Sequence, residues 1–159
     1  MIVKGIVHED FVNYKLPCMT IEMPYCSFKC DFACGKPVCQ NSALAKAPEL
    51  NYSIDSIIDT YCHNPIARAV VFQGLEPFDS FSDLRDFIFE FRNCYSIKDD
   101  IVIYTGYNKD EIENELIQLK QFPNIVVKFG RYIPNCETHY DEVLGVKLAS
   151  PNQYAERIS

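Results

Sequence analysis

Apolar and polar positions change period several times along the chain, and each change marks an element. Ile2 to Val7 alternates weakly and Met19 to Met23 (MTIEM) alternates clearly, so a short edge strand is expected first, then a strand running straight into a cysteine-rich stretch. Ser53 is a good helix N-cap. Ile54, Ile57, Ile58 and Tyr61 follow it at i, i+3, i+4 and i+7, which predicts a helix to about Cys62, closed by Asn64-Pro65. Ala69 to Phe72 is a continuous apolar run ending at Gln73-Gly74, as in a strand buried on both faces. A second helix fits Ser80 to about Tyr95, with Leu84, Phe87, Ile88 and Phe91 as its core-facing stripe. Ile101 to Tyr104 is another buried strand, left through Thr105-Gly106-Tyr107. Asn108 with Glu111 makes a capping-box-like start to a helix reaching about Gln121, and Pro123-Asn124 turns into strand Ile125 to Phe129. Beyond Arg131 the pattern weakens. Glu142 to Ala149 reads as a last strand, and Ser150 to Ser159 is polar.

Three alternations of strand and helix predict an α/β fold with a mostly parallel sheet. A closed eight-fold barrel takes about 250 residues, so 159 residues predict an open, partial β/α barrel, with the cysteine loop at the C-terminal end of an early strand. Ligands gather at the C-terminal ends of strands in such sheets. The cysteine loop, the Gly74 loop and the Thr105 loop would meet there. No repeat, low-complexity tract or linker divides the chain, so residues 1–159 are expected to form one domain.

Composition narrows the function classes. No basic start precedes a long apolar run, and no stretch approaches about eighteen apolar residues, so neither a signal peptide nor a membrane span is expected and the cytoplasm is the default location. The net charge is -7 and the basic residues are scattered, which argues against nucleic acid as a partner. A chain of this length does not need disulfides or zinc to fold. Its eight cysteines therefore call for another reason. Half of them, Cys26, Cys30, Cys34 and Cys39, lie within fourteen residues on a segment that reads as a loop. Thiolates crowded in this way leave three readings: an iron-sulfur cluster, a structural zinc, or redox cysteines. Cys18, Cys62 and Cys94 lie in or beside predicted elements and read as buried small hydrophobes. Cys136 and His139 offer one Cys-x2-His pair. Glu9-Asp10, Asp99-Asp100 and Glu113-Asn114-Glu115 read as solvated charges, so no acid-base pair stands out.

Cys26-Ser27-Phe28-Lys29-Cys30, at the end of the first main strand, resembles the opening of the radical S-adenosylmethionine (SAM) motif C-x3-C-x2-C. In that superfamily three cysteines hold a 4Fe-4S cluster and the fourth iron stays open to chelate SAM. The spacing here departs after Cys30, so the third ligand is either Cys34 or Cys39. The polar pair Gln40-Asn41 and the turn residues Gly35 and Pro37 lean toward Cys39. Phe32, which resembles the family's adenine-touching aromatic, leans toward Cys34. Gly74-Leu75-Glu76-Pro77 resembles the family's G-G-E-P, whose backbone receives the methionine amino group of SAM; Leu in the second place is tolerable where no positive φ is needed. Tyr104-Thr105-Gly106-Tyr107 resembles the T-G-Y turn of the glycyl-radical-enzyme activases. Gly130-Arg131-Tyr132 and Leu148 to Gln153 (LASPNQ) resemble their D-G-R-[FY] and S-x-N-Q elements, with Phe129 in place of Asp and Tyr154 where Arg is commoner.

These resemblances run in order from Cys26 to Gln153, and they are strongest to the activases of anaerobic ribonucleotide reductase. They imply an enzyme that takes one electron from a flavodoxin- or ferredoxin-type donor and cleaves SAM. The resulting 5'-deoxyadenosyl radical would take a Cα hydrogen from a glycine of the reductase's glycyl radical subunit. Lys128 and Arg131 stand where either the SAM carboxylate or ribose, or solvent, would meet them. Two other readings stay open. One is a small-molecule radical SAM enzyme resembling 7-carboxy-7-deazaguanine synthase; the other is a non-enzymatic zinc module using all four clustered cysteines.

Overall fold

The computed structural model describes residues 1–159, and the apolar runs of the sequence become its central sheet. β1 (Ile2–Val3) and β2 (Gly5–Asp10) open the chain, and β2 turns back antiparallel onto β3 (Cys18–Met23). The cysteine-rich stretch then forms α1 (Lys29–Cys34), followed by α2 (Ser42–Ala45) and β4 (Leu50–Asn51), which pairs with β1. Next come α3 (Ile54–Cys62), β5 (Ala69–Gly74), α4 (Phe81–Phe89), β6 (Asp100–Tyr104), α5 (Glu113–Leu119) and β7 (Ile125–Phe129). A hairpin of β8 (His139–Asp141) and β9 (Val146–Leu148) precedes β10 (Tyr154–Arg157).

The six-stranded sheet runs β10-β7-β6-β5-β3-β2. Its four central strands are parallel and both edge strands antiparallel, so it is an open α/β sheet and not a closed barrel. Residue size differs between its two faces. Toward the helices, Phe72 and Ile103 pack with Ile58 of α3, Phe87 of α4 and Leu116 of α5. Phe72 and Phe87 meet edge to face at 5.0 Å, a geometry aromatic pairs favour. On the other face the strands present Ala69, Val71, Val102, Val126 and Ala155, covered by Tyr14, Leu144 and Leu148. The parallel register sets Met23 opposite Gly74 and Tyr104 opposite Lys128, which aligns the C-terminal strand ends.

The opposite end of the sheet is fastened by one side chain. α4 runs on into a π-helical turn, Glu90–Cys94, which buries Arg92. Its guanidinium donates to the carbonyls of Ile97 (2.7 Å), Asp99 (2.9 Å), Pro123 (3.0 Å) and Asn124 (3.3 Å). It thereby ties together the loops that enter β6 and β7.

The expectation fails in several places. α1 interrupts the expected cysteine loop; it buries no residue, so it carries no apolar stripe to read. Glu142 to Ala149 is not one strand, because a turn at Gly145 (φ 74°) folds it into the β8–β9 hairpin. The polar tail contains β10, an edge strand that buries only Ala155 deeply and gains its hydrogen bonds from β7. Cys62 and Cys94 are exposed, whereas Cys18 is buried as expected. The Asn108 N–H does reach the Glu111 carboxylate (2.9 Å), but it starts a 3-10 turn ahead of a helix that ends at Leu119. No helix is long and apolar enough to cross a membrane.

Two stability outcomes follow. Arg92→Met strips a charged donor from four carbonyls and should cost about 3 kcal/mol in urea unfolding. Asp100 accepts from Arg157 (2.8 and 2.9 Å) and Tyr14 (2.7 Å); burial raises its pKa, but these bonds outweigh it and hold the carboxyl below its ordinary value. A depressed carboxylate contributes stability above its unfolded pKa of about 3.9 and loses it as pH falls through the folded value. Asp100→Asn should therefore be less stable at neutral pH and show a flatter loss below about pH 4 in urea midpoints.

Candidate metal centre

The three loops expected to meet at the strand tips do meet, around a cavity of about 390 Å3. Cys26, Cys30 and Cys39 line it on one side. Gly74, Leu75 and Glu76 come from the end of β5, Tyr104, Thr105 and Gly106 from β6, and Lys128 from β7. Cys34 is not in the lining, and neither is Phe32, which is 80% exposed.

Local chain physics sorts the cysteines. Phe28 adopts a left-handed conformation (φ 54°), rare for a bulky residue, and its N–H donates to the Cys26 Sγ at 3.2 Å. Cys30 then falls in the first turn of α1, and Gly35 (φ 64°) ends the helix just after Cys34. Asp31 Oδ1 accepts the N–H groups of both Val38 and Cys39 at 2.8 Å, folding Cys39 back over the start of α1. Cys34 is left at the far end. The side-chain amide of Asn41 donates to the carbonyl of Gly74, joining the cysteine segment to β5.

Two carboxylates read the T-G-Y turn. Glu76 accepts from Thr105 Oγ1 (2.7 Å), Gly106 N–H (2.8 Å) and Phe78 N–H (3.2 Å). Asp79 accepts from Tyr107 Oη (2.5 Å) and from Ser27 N–H (2.6 Å), next to Cys26. The Glu76 side chain is thus committed to the protein, and Gly74 and Leu75 line the cavity beside it. Leu75 has no positive φ; Gly74 does (φ 91°), and a Cβ there would come within 2.9 Å of Leu44. Gly106 is small for another reason. A Cβ at that position would stand 3.2 Å from the Cys30 Sγ.

Burial dominates the electrostatics. It pushes the Glu76 carboxyl up to about 7 despite its three hydrogen bonds. It pulls the Lys128 ammonium down to about 8, opposed by the charges of Glu76 and Cys30. It pushes the Cys26 thiol up to about 12 and raises Cys30, against the Tyr132 backbone and the Lys128 charge. Such thiols become strong ligands once a metal takes the proton's place.

Lys128 lies in the wall, whereas Arg131 lies outside it and forms a two-pronged pair with Glu111 (2.6 and 2.7 Å). The two C-terminal motifs hold each other. Asn152 donates to Arg131 O (2.9 Å), Gln153 donates to Gly130 O (3.3 Å), and a Cβ on Gly130 (φ 98°) would meet Asn152 O at 2.7 Å. Cys136 and His139 gain no further ligand, and no three His, Cys, Asp or Glu side chains converge closely enough to hold a single metal ion. Nothing in the sequence marks Asp31 and Asp79 beyond their positions, five residues after Cys26 and three after Glu76.

Three half-buried thiols around one cavity, an N–H directed at one sulfur and a glycine against another, are a donor set that fits an iron-sulfur cluster, which spreads its ligands wider than a single ion does. The comparison with known families agrees. The chain belongs to the 4Fe-4S single cluster domain family, whose model matches residues 18–148. No curated protein and no solved structure matches it.

The Glu76 clamp can be tested by itself. Glu76→Gln keeps the shape but turns one acceptor into a donor facing an N–H group, and the apoprotein should lose about 2 kcal/mol in urea unfolding. Asp83→Asn on the α4 surface should change stability by no more than about 0.5 kcal/mol.

Proposed function

We propose that the protein is a radical SAM activase that generates a glycyl radical on anaerobic ribonucleotide reductase, with a flavodoxin- or ferredoxin-type protein as electron donor. The observation that carries this reading is that three clustered cysteines, and not four, border a cavity shared with the G-L-E-P and T-G-Y turns. When bound to three thiolates, a 4Fe-4S cluster keeps one iron open for SAM and supplies the electron that cleaves its carbon-sulfur bond.

The chain's own part is to hold and to shield. Cys26, Cys30 and Cys39 are the ligands in this reading. The backbone of Gly74-Leu75 faces the amino-acid end of SAM, and Tyr104-Thr105-Gly106 forms the adjoining wall. A cavity of about 390 Å3 suits a ligand the size of a nucleoside derivative. The open sheet is read here as a partial β/α barrel, with the reacting groups at the C-terminal ends of its strands. Glu76 and Asp79 act by fixing loops, and no acid-base step is assigned to them.

Protein purified without oxygen should carry about four irons and four sulfides per chain, and its reduced electron paramagnetic resonance (EPR) spectrum should change when SAM is added. Cys26→Ser, Cys30→Ser and Cys39→Ser should each lose the cluster, and Cys34→Ser should keep it. With SAM, reductant and the reductase, a glycyl radical doublet should form on the partner. One zinc without sulfide, or SAM cleavage with no doublet, would overturn the cluster reading or the activase reading respectively.

A further inference from the structure

Lys128 is the one lysine buried in the wall beside the cysteines, and it is unusual in having no anionic partner. It is 6% exposed at the end of β7, a strand otherwise made of Ile, Val and Phe. Its ammonium donates to the carbonyls of Gly130 at 3.0 Å and Thr105 at 3.4 Å, and it enters no ion pair. A neutral donor would serve those carbonyls as well, without the cost of burying a charge. The Glu76 carboxylate acts on it through space but spends its hydrogen bonds on Thr105, Gly106 and Phe78 and forms no ion pair with it. Arg131, the other cation acting on Cys30, is neutralised by its paired contact with Glu111. Lys128 therefore carries its charge with no ion-paired partner, in the wall of the cavity that Cys26, Cys30 and Cys39 also line.

We propose that Lys128 sets the reduction potential of the cluster, its buried ammonium beside Cys30 favouring the reduced state and so holding the potential up. Reduction adds one negative charge to the cluster, and a fixed cation in a poorly screened wall stabilises that added charge far more than a surface cation can. The strand register fixes where Lys128 stands in the wall, because it is paired with Tyr104 on one side and Ala155 on the other. This inference rests on the cluster reading above and needs neither SAM nor the reductase.

The test is an EPR-monitored redox titration at neutral pH of the anaerobically purified holoprotein and its variants, each with its iron and sulfide content measured. Lys128→Met and Lys128→Gln, at the iron content of the parent, should titrate at a more negative midpoint, and Lys128→Arg should return it toward the parent value. Lys109→Met, which removes an exposed lysine paired with Glu156, should leave the midpoint where it was. Two neutral variants are made so that a folding defect in one leaves the other to decide. A parent-like midpoint in a fully loaded neutral variant, or an equal shift in Lys109→Met, would overturn the proposal. A parent protein without iron would instead overturn the cluster reading.

Discussion

The buried carboxylate of Glu76 is the contact on which the site's architecture depends. Strands β5 and β6 are neighbours in the sheet, but their register alone leaves the loops beyond them free to separate. Glu76 draws the Thr105 hydroxyl and the Gly106 and Phe78 N–H groups into one cluster, while its own N–H bonds back to the Tyr25 carbonyl beside the first cysteine. One side chain and its amide thus join three segments distant in sequence. Burial still wins over the three hydrogen bonds, so the carboxyl titrates high and not low. Such a group contributes mainly to the uniqueness of an arrangement, and less to its net stability.

The unequal faces of the sheet explain where a cavity can exist. Helices cover one side with Phe, Leu and Ile. The other side carries Ala and Val, and it is covered by turns and a short hairpin rather than by helices. Arg92 fastens the N-terminal strand ends, so the opposite ends can spend their hydrogen bonds on loops without loosening the sheet. The division follows the general tendency of open α/β sheets to place chemistry at the C-terminal edge.

Much of this was legible in the residues. The runs Ala69 to Phe72, Ile101 to Tyr104 and Ile125 to Phe129 are apolar throughout except at Lys128, because both faces are buried, and they are parallel strands of the observed sheet. The meeting of the cysteine, Gly74 and Thr105 loops followed from strand direction alone. What was illegible has a common cause: α1, β10 and the β8–β9 hairpin bury few side chains, so no periodicity records them. Spacing also left Cys34 and Cys39 undecided. The separation of the two in space depends on where the Asp31 carboxylate finds its donors, a fact of geometry that composition does not carry.

That Asp31 contact has a consequence for assembly in time. The carboxylate closes a span of only seven or eight residues, and short closures cost little chain entropy and form early. Cys30 and Cys39 can therefore be brought near each other by their own segment before the parallel strands, which need long-range pairing, have come together.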